Sequence, residues 1–439
     1  MHTPGISPIR RFTAADYAAF AIIMALMGAF FWAIRGSAGF GGSQGGIYAG
    51  LGWAIIWYLF AGIDGNRALR PYGGPRVIAA ITFGVAFGGM TGWGVYTAWV
   101  QGMFHYNAPD AAREIAPWTG YLALFFCGLH WGGNAGAFLA WCAPRVKTTW
   151  KTWAGRIAAA IIGAVVAHYT VRLFPQFFFP FYAEGIYDNP DYGTVQRTWG
   201  AIPNVAQHVG IFAGFLVFEA LRRDWRAVKV MSTVSLGFAL GLSIGAYWHT
   251  FHGSQPPIDW WKNWEMVSGI GGGLGLAVAF ILFNRPDPER ARFTPSVAER
   301  AWGGGVTLLL ATWATWRGAY NGFSNPHHFA VEWPGFYQLA YSRLFLFCAL
   351  FALGIWILRM RRQTWPPTER TIVPHGVLWS ALALIIAAGY IVTLKPQLTL
   401  LSHVLFTIYT VCIALSAVLT LFLYRHRILE VATPQGDEP

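Results

Sequence analysis

Three arginines stand where apolar segments give way to polar loops. Arg35 closes FFWAIR and is followed by the Gly-rich stretch GSAGFGGSQGG; Arg317 closes ATWATWR and is followed by Gly318; Arg172 lies between HYTV and LFPQ. The planar guanidinium fork suits bidentate capture of carboxylate, phosphate or sulfate. Glycines beside it let the backbone open and aim N–H groups at an anion. An arginine at membrane depth is costly unless it snorkels, pairs or faces a wet cavity. For each of the three, a headgroup anchor and a solute contact are the two readings. GGSQGG lacks the Gly-Lys-Ser/Thr ending of a nucleotide phosphate loop.

Other polar residues fall inside apolar segments. His130 sits beside Trp131 and Asn134, and Gln207 with His208 lies in a later segment. An interior histidine is either an interhelical hydrogen-bond partner or a ligand or proton contact. The expected solute-binding set is Arg35, Arg172, Arg317, His130, Trp93, Gln44, Gln207 and His208. Glu219 and Arg223 have the i, i+4 spacing of a helical ion pair and read as structural.

A metal site has weaker support. His249 and His252 are three apart, and His327 and His328 precede Glu332 in another loop. The spacing is not that of a zinc motif, and neither a metal nor a cofactor is expected. Acids such as Asp110, Glu114, Glu184, Asp188 and Asp259 offer a carboxylate pair for glycosyl transfer. No Gly-x-Ser-x-Gly elbow or Cys-His arrangement accompanies them. Trp260, Trp261 and Trp264 exceed what an interfacial belt needs and suggest a stacking platform.

Composition decides what must position these residues. Of 439 residues, 55% are hydrophobic and 11% charged, and mean hydropathy is +0.42. A soluble chain carries roughly 25% charged residues, so the class is a polytopic membrane protein. A nucleic-acid partner is excluded despite a net charge of +12, because the basic residues sit in short loops between apolar runs. Cys127, Cys142, Cys348 and Cys412 all lie in apolar segments and read as small hydrophobes.

Segments able to cross a core of ~30 Å fall at about 17–35, 45–62, 77–100, 118–142, 157–174, 201–221, 230–250, 265–283, 302–317, 336–358, 375–394 and 400–424. The N-terminus, the even-to-odd connections and the C-terminus hold 23 of the 31 basic residues. The positive-inside rule puts that face, and both termini, in the cytoplasm. The opposite face has longer, aromatic, proline-rich loops and is the expected place for recognition.

The sequence reads as a four-helix unit recurring over 17–142, 157–283 and 302–424: Gly46-Ile47-Tyr48-Ala49-Gly50 matches Gly210-Ile211-Phe212-Ala213-Gly214, and the three arginines fall at equivalent ends. An even number of spans per unit makes such repeats parallel. The expected fold is therefore all-α, one transmembrane domain over 1–439 with about twelve helices in parallel repeats of four.

Trp32-Ala33-Ile34-Arg35-Gly36, the glycines after it, Gly88-Gly89-Met90-Thr91 and Trp131-Gly132-Gly133 resemble a family of bacterial multi-pass membrane proteins of unassigned function with a Trp-x-Ile-Arg-Gly motif. The resemblance covers about the first 140 residues and implies a bacterial inner membrane, but no activity. Where that family has Gly-His-Glu, this chain has Gly39-Phe40-Gly41. The functional expectation is a transporter or binding protein for a small anionic or polyhydroxylated solute, surrounded by membrane lipids and compatible with a homo-oligomer. The alternatives are an enzyme on a lipid-linked or glycan substrate at the outer leaflet, and a non-transporting scaffold subunit.

Overall fold

A computed structural model describes residues 12–36, 42–89, 95–105, 113–189, 193–251, 259–287, 305–324, 378, 381–386, 389 and 400–432. Among these residues the chain is helical and has no strand beyond one isolated bridge. The helices are α1 (Ala14–Arg35), α2 (Gly42–Phe60), α3 (Arg76–Gly88), α4 (Tyr96–Val100), α5 (Pro117–Trp141), α6 (Trp150–Leu173), α7 (Pro175–Phe178), α8 (Gly193–Leu221), α9 (Trp225–Gly245), α10 (Trp260–Phe283), α11 (Thr307–Ser324) and α12 (Leu400–Ala432). Their starts follow local chemistry. Thr13 and Thr149 form reciprocal capping boxes with Asp16 and Thr152. Asp224 and Asp259 accept backbone N–H groups at the starts of α9 and α10.

Seven described helices are long and apolar enough to cross a membrane: α1, α5, α6, the Val195–Leu221 part of α8, α9 with its continuation to Phe251, α10, and the Val404–Arg425 part of α12. On α6 the outward surface is Ile157, Ile161, Ile162, Val165 and Val166, all exposed. A helix this greasy outside faces lipid. The chain is thus a multi-pass helical membrane protein. The expected span at 77–100 is not one helix. α3 ends at Gly88, packed so tightly on Trp131 that a β-carbon there would lie 2.3 Å from the indole Cδ1, and a separate helix, α4, begins at Tyr96. The expected span at 336–358 and most of 375–394 lie outside the described residues.

Six helices pack in sequence around a closed circuit, α1–α10–α9–α5–α3–α2 and back to α1, with neighbours antiparallel. Contact is backbone to backbone. A β-carbon on Gly28 would sit 2.3 Å from the Gly269 carbonyl oxygen, and one on Gly269 would sit 2.1 Å from that of Gly28. Lipid tails are as apolar as leucine, so helix association depends on such close packing. The middle of the circuit is filled by aromatic rings from four helices. Trp32 lies 4.7 Å from Trp131, 5.7 Å from Trp53 and 5.3 Å from Phe238. α6 and α8 form a separate pair crossing at Gly163 and Gly210, and α8 joins the circuit through α5. The two matched glycine motifs face different neighbours: Gly46 and Gly50 meet α3, whereas Gly210 and Gly214 meet α6.

The basic face is built in as well as charged. Arg67 donates to the Tyr58 carbonyl at 2.8 Å, Arg70 to the Asn284 carbonyl at 2.6 Å, and Arg226 to that of Ala143. These carbonyls lie at or near helix C-termini, where helical donors run out. Glu219, fully buried, takes Arg156 at 2.6 Å, Arg222 at 2.8 Å and the Trp141 indole at 3.1 Å. Arg223, the expected partner, instead has φ 60° and is exposed. The chain turns there into α9, so the i, i+3 residue reaches the carboxylate first.

Two outcomes are expected. Gly28→Val should cost about 1–3 kcal/mol by overpacking, read as a lower thermal transition of the detergent-purified protein, whereas Gly200→Ala, with nothing within 4 Å of its β-carbon, should not lower it. Glu219→Ala should cost about 3–5 kcal/mol by stranding the buried Arg156, while Arg223→Ala should stay within about 0.5 kcal/mol of the parent.

Candidate functional site

The end of the circuit away from the basic face gathers the C-terminus of α1, the N-termini of α2 and α10, and the N-terminal end of α5. Arg35 lies here and is only 2% exposed. Its guanidinium carbon stands 4.2 Å from the Trp32 ring centre and 4.7 Å from that of Trp131. Stacking on indole faces is favourable for a desolvated guanidinium. Glu265, on α10, acts electrostatically on Arg35. A β-carbon on Gly36 would lie 1.9 Å from Glu265 Oε1, so only glycine lets that carboxylate reach the end of α1. Lys262 holds Glu265 at 2.6 Å and donates to the Ala33 carbonyl at 3.0 Å. The Trp261 indole donates to Glu265 at 3.2 Å. The result is a buried knot of two cations and one carboxylate tying α1 to α10.

Arg172 has other surroundings. It stacks on Trp199 at 4.4 Å, and Trp199 packs with Phe179 at 4.4 Å and Tyr187 at 5.5 Å. Burial pushes the Tyr187 phenol up, and its hydroxyl donates to the Pro180 carbonyl at 2.9 Å. Arg113 pairs with Glu184 at 2.9 Å and so pins the 101–116 loop to the 175–189 loop. Arg317 is half-buried on α11, which packs on α2. Gln44 is exposed in the first turn of α2, and Gln207 is half-buried on α8. Trp93 lies outside the described residues.

His130 and His208 do come together. Their ring centres are 5.4 Å apart across α5 and α8. His208 is held by its Nδ1, 2.8 Å from the Asn204 carbonyl. Asn134, one turn beyond His130, is fully buried with it.

His249 is fully buried against Trp260, Trp261 and Trp264, at ring distances of 4.9, 5.6 and 4.7 Å. Its expected metal partners His252, His327, His328 and Glu332 lie outside the described residues. Among the described residues no three His, Cys, Asp or Glu side chains gather as a metal would need. Of the tryptophans expected as a stacking platform, Trp264 is a packing residue, 2% exposed and donating to the Leu242 carbonyl at 3.0 Å, while Trp260 and Trp261 are half-buried.

The described apolar cavity, about 540 Å³, lies away from all these groups, between α1, α2 and α12, lined by Phe20, Met27, Ile56, Leu382 and Leu423. Of the hydroxyl side chains lining it, Ser416 and Thr420 donate to their own helix backbone, and Tyr424 is the third.

Sequence reasoning missed Lys262 and Glu265 as companions of Arg35. Their i, i+3 spacing is a visible signal, but the reach from α10 to α1 is not local. No protein-family model, curated protein or solved structure matches the chain.

One pH dependence follows from the loops. His105 is partly buried and contacts the Thr198 hydroxyl at 3.3 Å. Burial, with Arg197 adding repulsion, pushes it down from 6.5 to about 4. The folded loop therefore favours neutral imidazole. Its contribution is complete above about pH 6.5 and is lost as the pH falls from there towards 4. Amide exchange in 101–105 and 113–116 should speed up over that window, and His105→Gln should flatten the response.

Proposed function

We propose that this chain is a transporter or binding protein for a small anionic or polyhydroxylated solute, with its site between helices at the loop-rich face. The basic face is assigned to the cytoplasm by the positive-inside rule, which makes the site extracytoplasmic. The reading rests on one observation: Arg35 is buried within the helix circuit, between two indoles and beside a carboxylate, not extended to the headgroups. Charged groups inside membrane proteins are expensive and accompany solute or ion pathways. A guanidinium packed against two indole rings has its orientation restricted, which favours bidentate recognition by its N–H fork. Twelve spans and the four-helix repeat belong to the same reading, with Arg172 and Arg317 as the equivalent positions.

The test is uptake into proteoliposomes of labelled phosphate, sulfate, acetate, glycerol and erythritol. Arg35→Ala should reduce the transported solute at least tenfold, about 1.4 kcal/mol, with Arg35→Lys intermediate and both proteins monodisperse. If Arg35→Ala, Arg172→Ala and Arg317→Ala combined leave uptake of every probe at the parent rate, the reading is lost.

A further inference from the structure

His130 stands one residue past the middle of α5, and His208 is close to the middle of α8. Both lie at the depth where membrane transporters place their solute sites. The α8 stripe facing α5 runs His208, Phe212, Phe215, Glu219. Phe212 fills the space over Gly133, and Phe215 meets Trp141 at 4.9 Å. Between them the stripe is apolar, so His208 at its upper end is a deliberate break in the pattern.

What it faces is unusual for a protein interior. Neither ring nitrogen of His130 has a hydrogen-bond partner among the described residues, and neither does the side-chain oxygen or nitrogen of Asn134. Both residues are fully buried. Each buried polar group left unpaired costs about 1–3 kcal/mol. Four such atoms one turn apart on one helix are a burden that packing alone would remove by substitution with leucine or phenylalanine. Neighbouring polar groups do not relieve them: Ser235 from α9 spends its hydroxyl on the Leu129 carbonyl. Pro203 sits inside α8 one turn and a residue before His208. Lacking an N–H, it deprives the Trp199 carbonyl of its helical donor, although α8 runs through it unbroken from Gly193 to Leu221.

We propose that His130, Asn134 and His208 form a binding station for a small uncharged hydroxylated molecule of the polyol class. The proposal rests on the solute-handling reading for its purpose, and on the unpartnered atoms for its chemistry. A neutral imidazole offers one donor and one acceptor, and an amide offers both kinds. Hydroxyl groups match that mixture because each donates and accepts. An anion could meet the N–H donors, but among the described residues no lysine or arginine is paired with these side chains to hold it, and a cation would find no free carboxylate: Glu219, the acid on this face of α8, is three turns away and already engaged by Arg156 and Arg222. The station and the Arg35 knot lie on different sides of α5, since Trp131 covers Arg35 while His130 turns to α8.

The experiment is equilibrium dialysis of radiolabelled glycerol and erythritol against the full chain in nanodiscs. The parent should bind at least one of them saturably, and Asn134→Leu and His130→Phe should each weaken that binding tenfold or more. Thermal stability should stay level or rise in both variants, because each removes unpaired buried polar atoms; a purely structural role would make it fall. If neither probe binds saturably, or if both variants bind like the parent, the station is refuted. The outcome is separable from the Arg35 test: loss of uptake with polyol binding intact indicts only the pathway, and intact uptake with no effect of these two variants indicts only the station.

Discussion

Everything in this molecule depends on how closely its helices approach. At Gly28 and Gly269 two backbones touch with no side chain between them. In lipid there is little hydrophobic gain from bringing helices together, so dispersion contacts and interhelical hydrogen bonds must do it. Once α1 and α10 are that close, Trp32 has only the inside of the circuit to occupy. The same holds for Trp53 and Trp131, whose neighbours are equally tight. Two of the indoles find a backbone carbonyl on the adjacent helix: Trp53 donates to Met24 at 3.1 Å and Trp131 to Val85 at 2.7 Å. Val85 lies in the last turn of α3, where carbonyls lack helical donors.

That aromatic filling decides where charge can go. The circuit has no wet centre among the described residues, because Trp32, Trp53, Trp131 and Phe238 occupy it. Polar groups are pushed to its two ends and to its outer side at α8. At one end Arg35, Lys262 and Glu265 share an indole-lined knot; at the other Arg156, Arg222 and Glu219 do the same with Trp141 and Trp153. The motif is shared: one buried carboxylate, two cations, and indole faces that replace the water the cations gave up.

Much of this architecture is legible in the sequence. Hydropathy and low charge identify a multi-pass helical protein, and Thr13, Thr149, Asp224 and Asp259 mark where helices begin. The end of α3 at Gly88 is legible only in part: the glycines of GGMTGWG (88–94) weaken a helix, while the close approach of Trp131 to Gly88 is tertiary and leaves no local signal. Glu219 shows the same limit. Spacing proposes Arg223, but the turn into α9 swings Arg223 away, and Arg156, 63 positions upstream, takes its place. Arg35 is legible as an oddity; that it is stacked and held near Glu265, not snorkelling, follows from contacts between α1, α5 and α10 that no local pattern encodes.

The two polar regions of the upper half share a single element. His130 and Trp131 are consecutive on α5, about 100° apart around its axis, so one residue looks to α8 and the next covers Arg35. α5 is not equally bound on its sides. Gly128, Gly132 and Gly136 lay its backbone directly on α9, where a β-carbon would come within 2.4–2.8 Å of the neighbour. Against α8 the contact runs through side chains, His208, Phe212 and Phe215. Backbone-to-backbone contacts have no freedom to slide without clash, whereas side chains exchange rotamers. α5 is therefore joined to α9 by backbone contact and to α8 by side chains, and the unpaired polar atoms of His130 and Asn134 lie at the second of these seams. A change at that seam that rotated α5 would carry Trp131 with it and alter the face on which Arg35 is stacked.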